Sequence, residues 1–489
     1  MLRACVWVMN NGSDVLARFD RRLRLLASLV AFGCCLVASG CGGDDASGAS
    51  GSGGSISSGG TAGNGSGGSA AAASGGAAGS AGTSGSAGGN TDGGTPDGSS
   101  STAVNFSVYG ASGDGASDDT AQLQAALDAE GDLIAAPGAT FRISATLKIN
   151  QAFAHTINWN GATVVTTAAL QPMILIDKRS SNGGLTTMRS LLVDGNKKAT
   201  HGVDVNSRVT LTNVDATGFR QPTSSSPAGF RINLYDDPNA HGTWSFDGCD
   251  VNDIVGTSNG ITTDSLGAAN GYLIYWKAVP KTKITLDVKN ATVRDCWGED
   301  AQNVAIFSPG LDISGSSSGT VWTNMTFLDW ERRAIKGFAG NNTFKKCSFT
   351  DPDPTNPKLY SSNKSGMVVV GPGSGATGAD NQVFENCSFN QAGYDGRVIV
   401  SDTNNVYFRN CTWTGGSDLL FTSFGAGGVG KIDVCSGTFG KGSAVGDYGG
   451  ITYKGNDVIS LDTDNTYVET NYVTVSPSYY QEVNLSCAP

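Results

Sequence analysis

Two short stretches of this 489-residue chain gather residue types suited to acid–base chemistry: Arg294-Asp295-Cys296-Trp297-Gly298-Glu299-Asp300 and Asp329-Trp330-Glu331-Arg332-Arg333-Ala334-Ile335-Lys336. Aligned on Asp295 and Asp329, 34 residues apart, they would set the carboxylates of one against the cations of the other. Such a pairing suits proton removal beside a sugar carboxylate followed by expulsion of the β-oxygen. Lys336 is the better base, because an arginine stays protonated in ordinary sites and the neighbouring Arg332 and Arg333 would depress a lysine pKa. The same stretches permit hydrolysis of a glycosidic bond by Glu299 and Asp300 or Asp295. An inverting pair of that kind needs carboxyl groups roughly 6.5–9.5 Å apart, which a sequence does not supply. Trp297, Trp330 and Tyr360 offer flat faces on which sugar rings stack.

Other chemistry-bearing residues are sparser. Asp236-Asp237 and Asp351-Pro352-Asp353 could supply carboxylate oxygens to Ca²⁺, although neither matches a twelve-residue calcium loop. His155, His201 and His241 lie in separate segments. No Ser-His-Asp elbow, phosphate-binding loop or zinc-ligand spacing is present, and nothing calls for an organic cofactor. Asn90-Thr91-Asp92-Gly93 spells a string known from polygalacturonases, but it falls where almost nothing is available to bury.

The elements that must position these residues are short apolar strands broken by Gly, Asn and Asp. VFENCSFNQ, VYFRNCTWTGG and KIDVCSGTFG place Cys387, Cys411 and Cys435 at intervals of 24 and 24 residues. A repeat of that size is one coil of a solenoid that buries its inward residues against its neighbours. The sequence predicts that these cysteines, with looser copies at Cys249, Cys296 and Cys347, stack as an internal column, and that Cys487 could pin the last coil to Cys435. Ahead of the coils, Leu123, Ala126 and Leu127 recur at helical spacing behind Asp118-Asp119, a good N-cap pair.

The string from Tyr109 to Ala129, with Gly113-Asp114-Gly115, Asp118-Asp119-Thr120, Gln122 and Gln124, and then Pro137-Gly138 before Phe141-Arg142-Ile143, resembles the entrance segment of the pectate-lyase-3 superfamily. The resemblance implies an all-β, single-stranded right-handed parallel β-helix, a pectin-lyase-like solenoid over 103–489 with a short N-terminal capping helix. It implies fold more than chemistry, since the same entrance opens lyases, hydrolases, epimerases and non-catalytic fibres.

Residues 1–41 read as an export signal. Arg18, Arg21, Arg22 and Arg24 precede an apolar run from Leu25 to Ala38 that is shorter than the ~20 residues of a membrane span. Ala38-Ser39-Gly40-Cys41 resembles a lipobox in which Cys41 is lipidated, with Ala38 in place of the usual Leu. Residues 42–102, almost all Gly, Ser, Ala and Thr, form a flexible tether of roughly 40–47 Å as a random coil. The expected location is an outer-membrane lipoprotein or the cell surface, otherwise secretion. The net charge is −11, and removing residues 1–40, with five Arg and two Asp, moves it to −14. That balance argues against nucleic acid and leaves the lipid anchor as the one membrane contact. The partner expected is a polysaccharide. The leading reading is a lyase on an acidic, pectin-like glycan; the alternatives are a β-helical glycoside hydrolase and a non-catalytic carbohydrate-binding or adhesive module. Oligomeric state is not legible.

Overall fold

Short strands with alternate side chains inward set the architecture. Strand Thr140–Ile143 buries Phe141 and Ile143, and strand Ile284–Lys289 buries Ile284, Leu286 and Val288, with polar residues between them facing out. The computed structural model describes residues 103–483 except 181–182, 221–225, 257–267, 299, 331, 352–366, 372–377, 392–397, 401–402, 404, 416–420, 423–430, 440–457, 463–465 and 468–479. Among the described residues the strands form two sheets, of 25 and ten strands, in parallel pairs between successive coils. Most coils give two strands to the larger sheet, separated by a corner, and one to the smaller. The chain is a right-handed parallel β-helix, as the sequence predicts.

The corner inside the larger sheet needs a left-handed backbone, which Asn tolerates better than other residues with a Cβ. Asn213, Asn290, Asn324, Asn386 and Asn410 hold it at φ 51°, 56°, 54°, 55° and 52°. Two of them also bond from coil to coil, Asn324 Nδ2 donating to Asn290 Oδ1 at 2.9 Å.

Inside, aromatic side chains stack along the axis. Phe344, Phe384 and Phe408 lie 5.0 and 4.8 Å apart between successive ring centroids, and Phe349, Phe389 and Trp413 lie 4.8 and 5.4 Å apart. The predicted cysteine column is present in part. The pairings Ser348↔Ser388 and Ser388↔Thr412 put Cys347, Cys387 and Cys411 on one rung line, each thiol donating to a carbonyl of the preceding coil at 3.4–3.5 Å. Cys435 does not join it: it pairs with Arg409, because the next coil carries two extra residues before the corner. Cys296 is also off the line, paired with Ile254 and Trp330. Cys435 is disulfide-bonded, and Cys487 lies outside the described residues.

Helix α1, Thr120–Asp128, covers the first coil with Leu123, Ala126 and Leu127 fully buried. Asp118 accepts from the Thr120 amide at 3.0 Å, while Asp119 turns back to the Ser112 and Gly113 amides at 2.6 and 3.2 Å. Asp118 thus bonds the helix start, and Asp119 ties down the turn before it. Gly113 is required in that turn: its φ is 59°, and a Cβ would meet Ala139 at 2.9 Å.

Candidate active site on the ten-stranded sheet

Strands His201–Val205, Ala228–Leu234, Ala268–Trp276, Asp300–Phe307 and Arg333–Phe338 are neighbours in that order in the smaller sheet. The chain enters the first three through glycine, because a Cβ on Gly202 would sit 2.6 Å from the Gly229 carbonyl oxygen and one on Gly271 would sit 2.6 Å from the Asn303 carbonyl oxygen. His201 and Asp204 meet at 3.1 Å, although an odd separation on a regular strand would place them on opposite faces.

On the last two strands the register pairs Gln302 with Arg333 and Ala305 with Lys336. Asp300 is the focus of three cations. Lys336 Nζ donates to Asp300 Oδ2 at 2.6 Å, Arg333 Nη1 donates to Asp300 Oδ1, and Arg332 Nη1 lies 3.5 Å from Oδ1. Arg333 is steadied by Gln302 Oε1 at 3.3 Å, and Gln302 Nε2 donates in turn to Asn270 Oδ1 at 2.6 Å. Lys336 Nζ also lies 5.4 and 5.2 Å from the ring centroids of Phe307 and Phe338, and Phe307 stacks on Tyr275 at 5.4 Å.

One anion shared by three cations explains the titration of each group. Burial pushes the Asp300 pKa up, but Arg333, Lys336 and Arg332 together outweigh it and hold the carboxyl well below the ordinary carboxylate range. Burial pulls Lys336 down to about 8, since Asp300 returns only part of its charge to it and Arg333 opposes protonation. Burial likewise lowers Arg333, to about 10. The group carries a net +2 within a chain of net −11, so an anionic ligand meets locally favourable charge. Asp300 and Arg332 are its accessible members, with 31% and 23% of their side chains exposed against 13% for Lys336 and 8% for Arg333.

Of the sequence candidates, the fold therefore brings together Asp300, Arg332, Arg333 and Lys336. Asp295 sits in a left-handed corner, φ 55°, with its carboxylate 2.8 Å from Arg294 Nε. Trp330 is 3% exposed and belongs to the core, so it offers no face to a sugar; Trp297, half-buried, pairs with Val255. Asp236 accepts from the Lys281 amide at 3.0 Å and lies 3.2 Å from His241 Nε2, while Asp237 accepts from the Asn239 amide at 2.8 Å and caps the turn Pro238–Ala240. Among the described residues no group of three or more His, Cys, Asp or Glu side chains is arranged to hold a metal. Asp351 ends strand Ser348–Asp351, and its side chain lies outside the described residues, as do Glu299, Asp353, Tyr360 and Cys41.

Sequence reasoning missed the aromatic row of Tyr275, Phe307 and Phe338, whose signal was a bulky apolar residue at an outward strand position. It also missed a second charged cluster, in which His201 Nδ1 lies 3.1 Å from Asp204 Oδ1 and Arg231 Nη1 lies 3.8 Å from Asp204 Oδ2.

The site and its sheet define a parallel β-helix with a cation-rich cluster on its outer face. No protein-family model matches the sequence, and no curated protein matches it. Solved structures similar to it include a Geobacillus virus E2 protein, ORF18, with 15% identity over 75% of this chain and a TM-score of 0.43; this chain spans 62% of that protein's length. The Streptococcus pneumoniae surface protein and adhesin PfbA has 11% identity over 75% of this chain and 95% of its own, with a TM-score of 0.42. The A-module of Azotobacter vinelandii mannuronan C-5 epimerase AlgE6 has 12% identity over 78% of this chain and all of its own, with a TM-score of 0.38.

Proposed function

We propose that this chain is an exported polysaccharide lyase that cleaves an acidic glycan by β-elimination, with Lys336 as the base. The observation that carries the reading is a lysine whose pKa burial brings to about 8, set among arginines that would hold a sugar carboxylate. Arg332 and Arg333 engage the carboxylate and stabilise the enolate-like charge that develops when the adjacent proton leaves. Lys336, neutral, takes that proton. The C–H and C–O bonds break, a C=C bond forms, and the departing oxygen acquires a proton, so no co-reactant is needed. Phe307 and Phe338 flank the base and suit the apolar face of a pyranose ring.

The state of Asp300 favours this over hydrolysis. Glycoside hydrolysis needs a carboxylic acid that is protonated near neutral pH, and three cations keep Asp300 ionised. Its role here is to orient Lys336 and Arg333. The test is a continuous ultraviolet assay against pectins, alginates and glycosaminoglycans, with and without Ca²⁺. Absorbance from the new conjugated double bond supports elimination. New reducing ends without it would indicate hydrolysis, and neither product would point to a binding module.

A further inference from the structure

We infer that His201, Asp204, Arg231 and Asn233 form a second sugar-binding subsite on the same face, which takes a uronate unit of the glycan being cleaved at Lys336. This rests on the reading of the first cluster as a uronate site. The starting observation is a pair of buried polar atoms with nothing to bond. Arg231 Nε and Asn233 Oδ1 are buried and have no hydrogen-bond partner, and Asn233 is only 5% exposed; beside them His201 Nδ1 faces Asp204 Oδ1 at 3.1 Å. Two such atoms, two residues apart on one strand, call for a partner, since buried polar groups in a folded protein are nearly always paired.

Their chemistry defines what would satisfy them. Asn233 presents an acceptor, which a sugar hydroxyl can fill, while Asp204, between His201 and Arg231, holds the arginine in place. Arg231 presents an N–H donor and a positive charge, which suit a carboxylate oxygen. The Asn233 amide is held by its nitrogen, because Nδ2 donates to Asn206 Oδ1 at 2.8 Å and Asn206 donates on to Asp177 Oδ2 at 2.9 Å, which leaves Oδ1 unpaired. His201 is anchored by its other nitrogen, Nε2, 3.1 Å from the Ser226 carbonyl oxygen. Arg231, with 27% of its side chain exposed, is the member a ligand meets first.

The two clusters are linked by register and by an aromatic row. Arg231 pairs with Leu273, Leu273 with Ala305, and Ala305 with Lys336. Three strand spacings make a distance of about 14 Å, longer than one sugar ring, and the two residues between are uncharged. The Arg231 guanidinium lies 5.9 Å from the Tyr275 ring centroid, and Tyr275 stacks on Phe307, beside Lys336. A polyuronate laid along the helix axis would thus have one carboxylate at Arg332 and Arg333 and another at Arg231.

The test is calorimetric binding of galacturonate and mannuronate oligomers, two and six units long, to full-length protein carrying Lys336→Ala to prevent turnover. Adding Arg231→Gln should weaken the hexamer about tenfold and leave the dimer unchanged, as loss of one charged hydrogen bond predicts. Asn233→Ala should show the same length-selective loss, and thermal unfolding of each variant checks that it is folded. Equal losses for both lengths, or no loss for the hexamer, would overturn the subsite. If no oligomer binds protein lacking these two substitutions, the reading of the first cluster falls and the subsite with it. If the hexamer binds and wild-type protein cleaves it while both variants bind normally, the subsite alone falls.

Discussion

At the scale of single residues, the behaviour of the site follows from the imbalance of one carboxylate and three cations. The folded pKa of Lys336, about 8, lies below its unfolded value of 10.5, so the neutral base gains population as pH rises through 8. The elimination rate should therefore climb with pH through that region, and a pH–rate profile that is flat from 7 to 9 would contradict the assignment. Lys336→Ala should lower the rate roughly 10²–10⁴-fold, the usual contribution of a positioned base, with polymer binding retained. Asp300 has the opposite sign in stability. Its folded pKa is depressed, so it stabilises the fold above the unfolded carboxylate range, and that stability is lost as pH falls below about 4 toward the folded value. Asp300→Asn leaves three cations sharing no anion. Breaking a fully buried pair costs about 3–5 kcal/mol, and since a third of the Asp300 side chain stays wet, a loss on the order of 2 kcal/mol by urea denaturation is expected here.

At the scale of elements, the legible parts of the fold are those with local causes. The cap helix could be read from Leu123, Ala126 and Leu127 behind Asp118, because helix periodicity and capping depend on near neighbours. Coil length was legible from the cysteine interval, but rung alignment was not. Two extra residues before one corner move Cys435 off the column while the interval of 24 is kept. Asp300 meets Lys336 across 36 residues, a pairing set by the length of an intervening coil. Trp330 looked like a surface platform because it sits in a charged string, yet it follows a left-handed corner at Asp329 and is buried in the core. His201 and Asp204 were unreadable as a pair because strand periodicity assigns residues three apart to opposite faces. The interior ladders give a prediction of their own. Phe384 stacks between Phe344 and Phe408, so Phe384→Ala should cost about 3–5 kcal/mol in chemical denaturation, whereas a cost under 1 kcal/mol would mean that the stack is not close-packed.

At the scale of the whole molecule, an acidic chain carries a locally cationic cluster. A chain of net −11 repels polyanions at long range, so binding of an acidic glycan depends on the +2 cluster and should weaken as salt screens it. If the lipobox-like string ending at Cys41 is lipidated, as we propose, Cys41→Ser should move the protein from the membrane fraction to the soluble fraction. Equal partition of both forms would argue for ordinary signal cleavage. The most direct test of the central claim is the rate of unsaturated product formation, followed by ultraviolet absorbance, for wild-type protein and Lys336→Ala on one polyuronate. The account predicts product from the wild type, with a rate that rises through pH 8, and almost none from the variant. Product at equal rates from both proteins would contradict it.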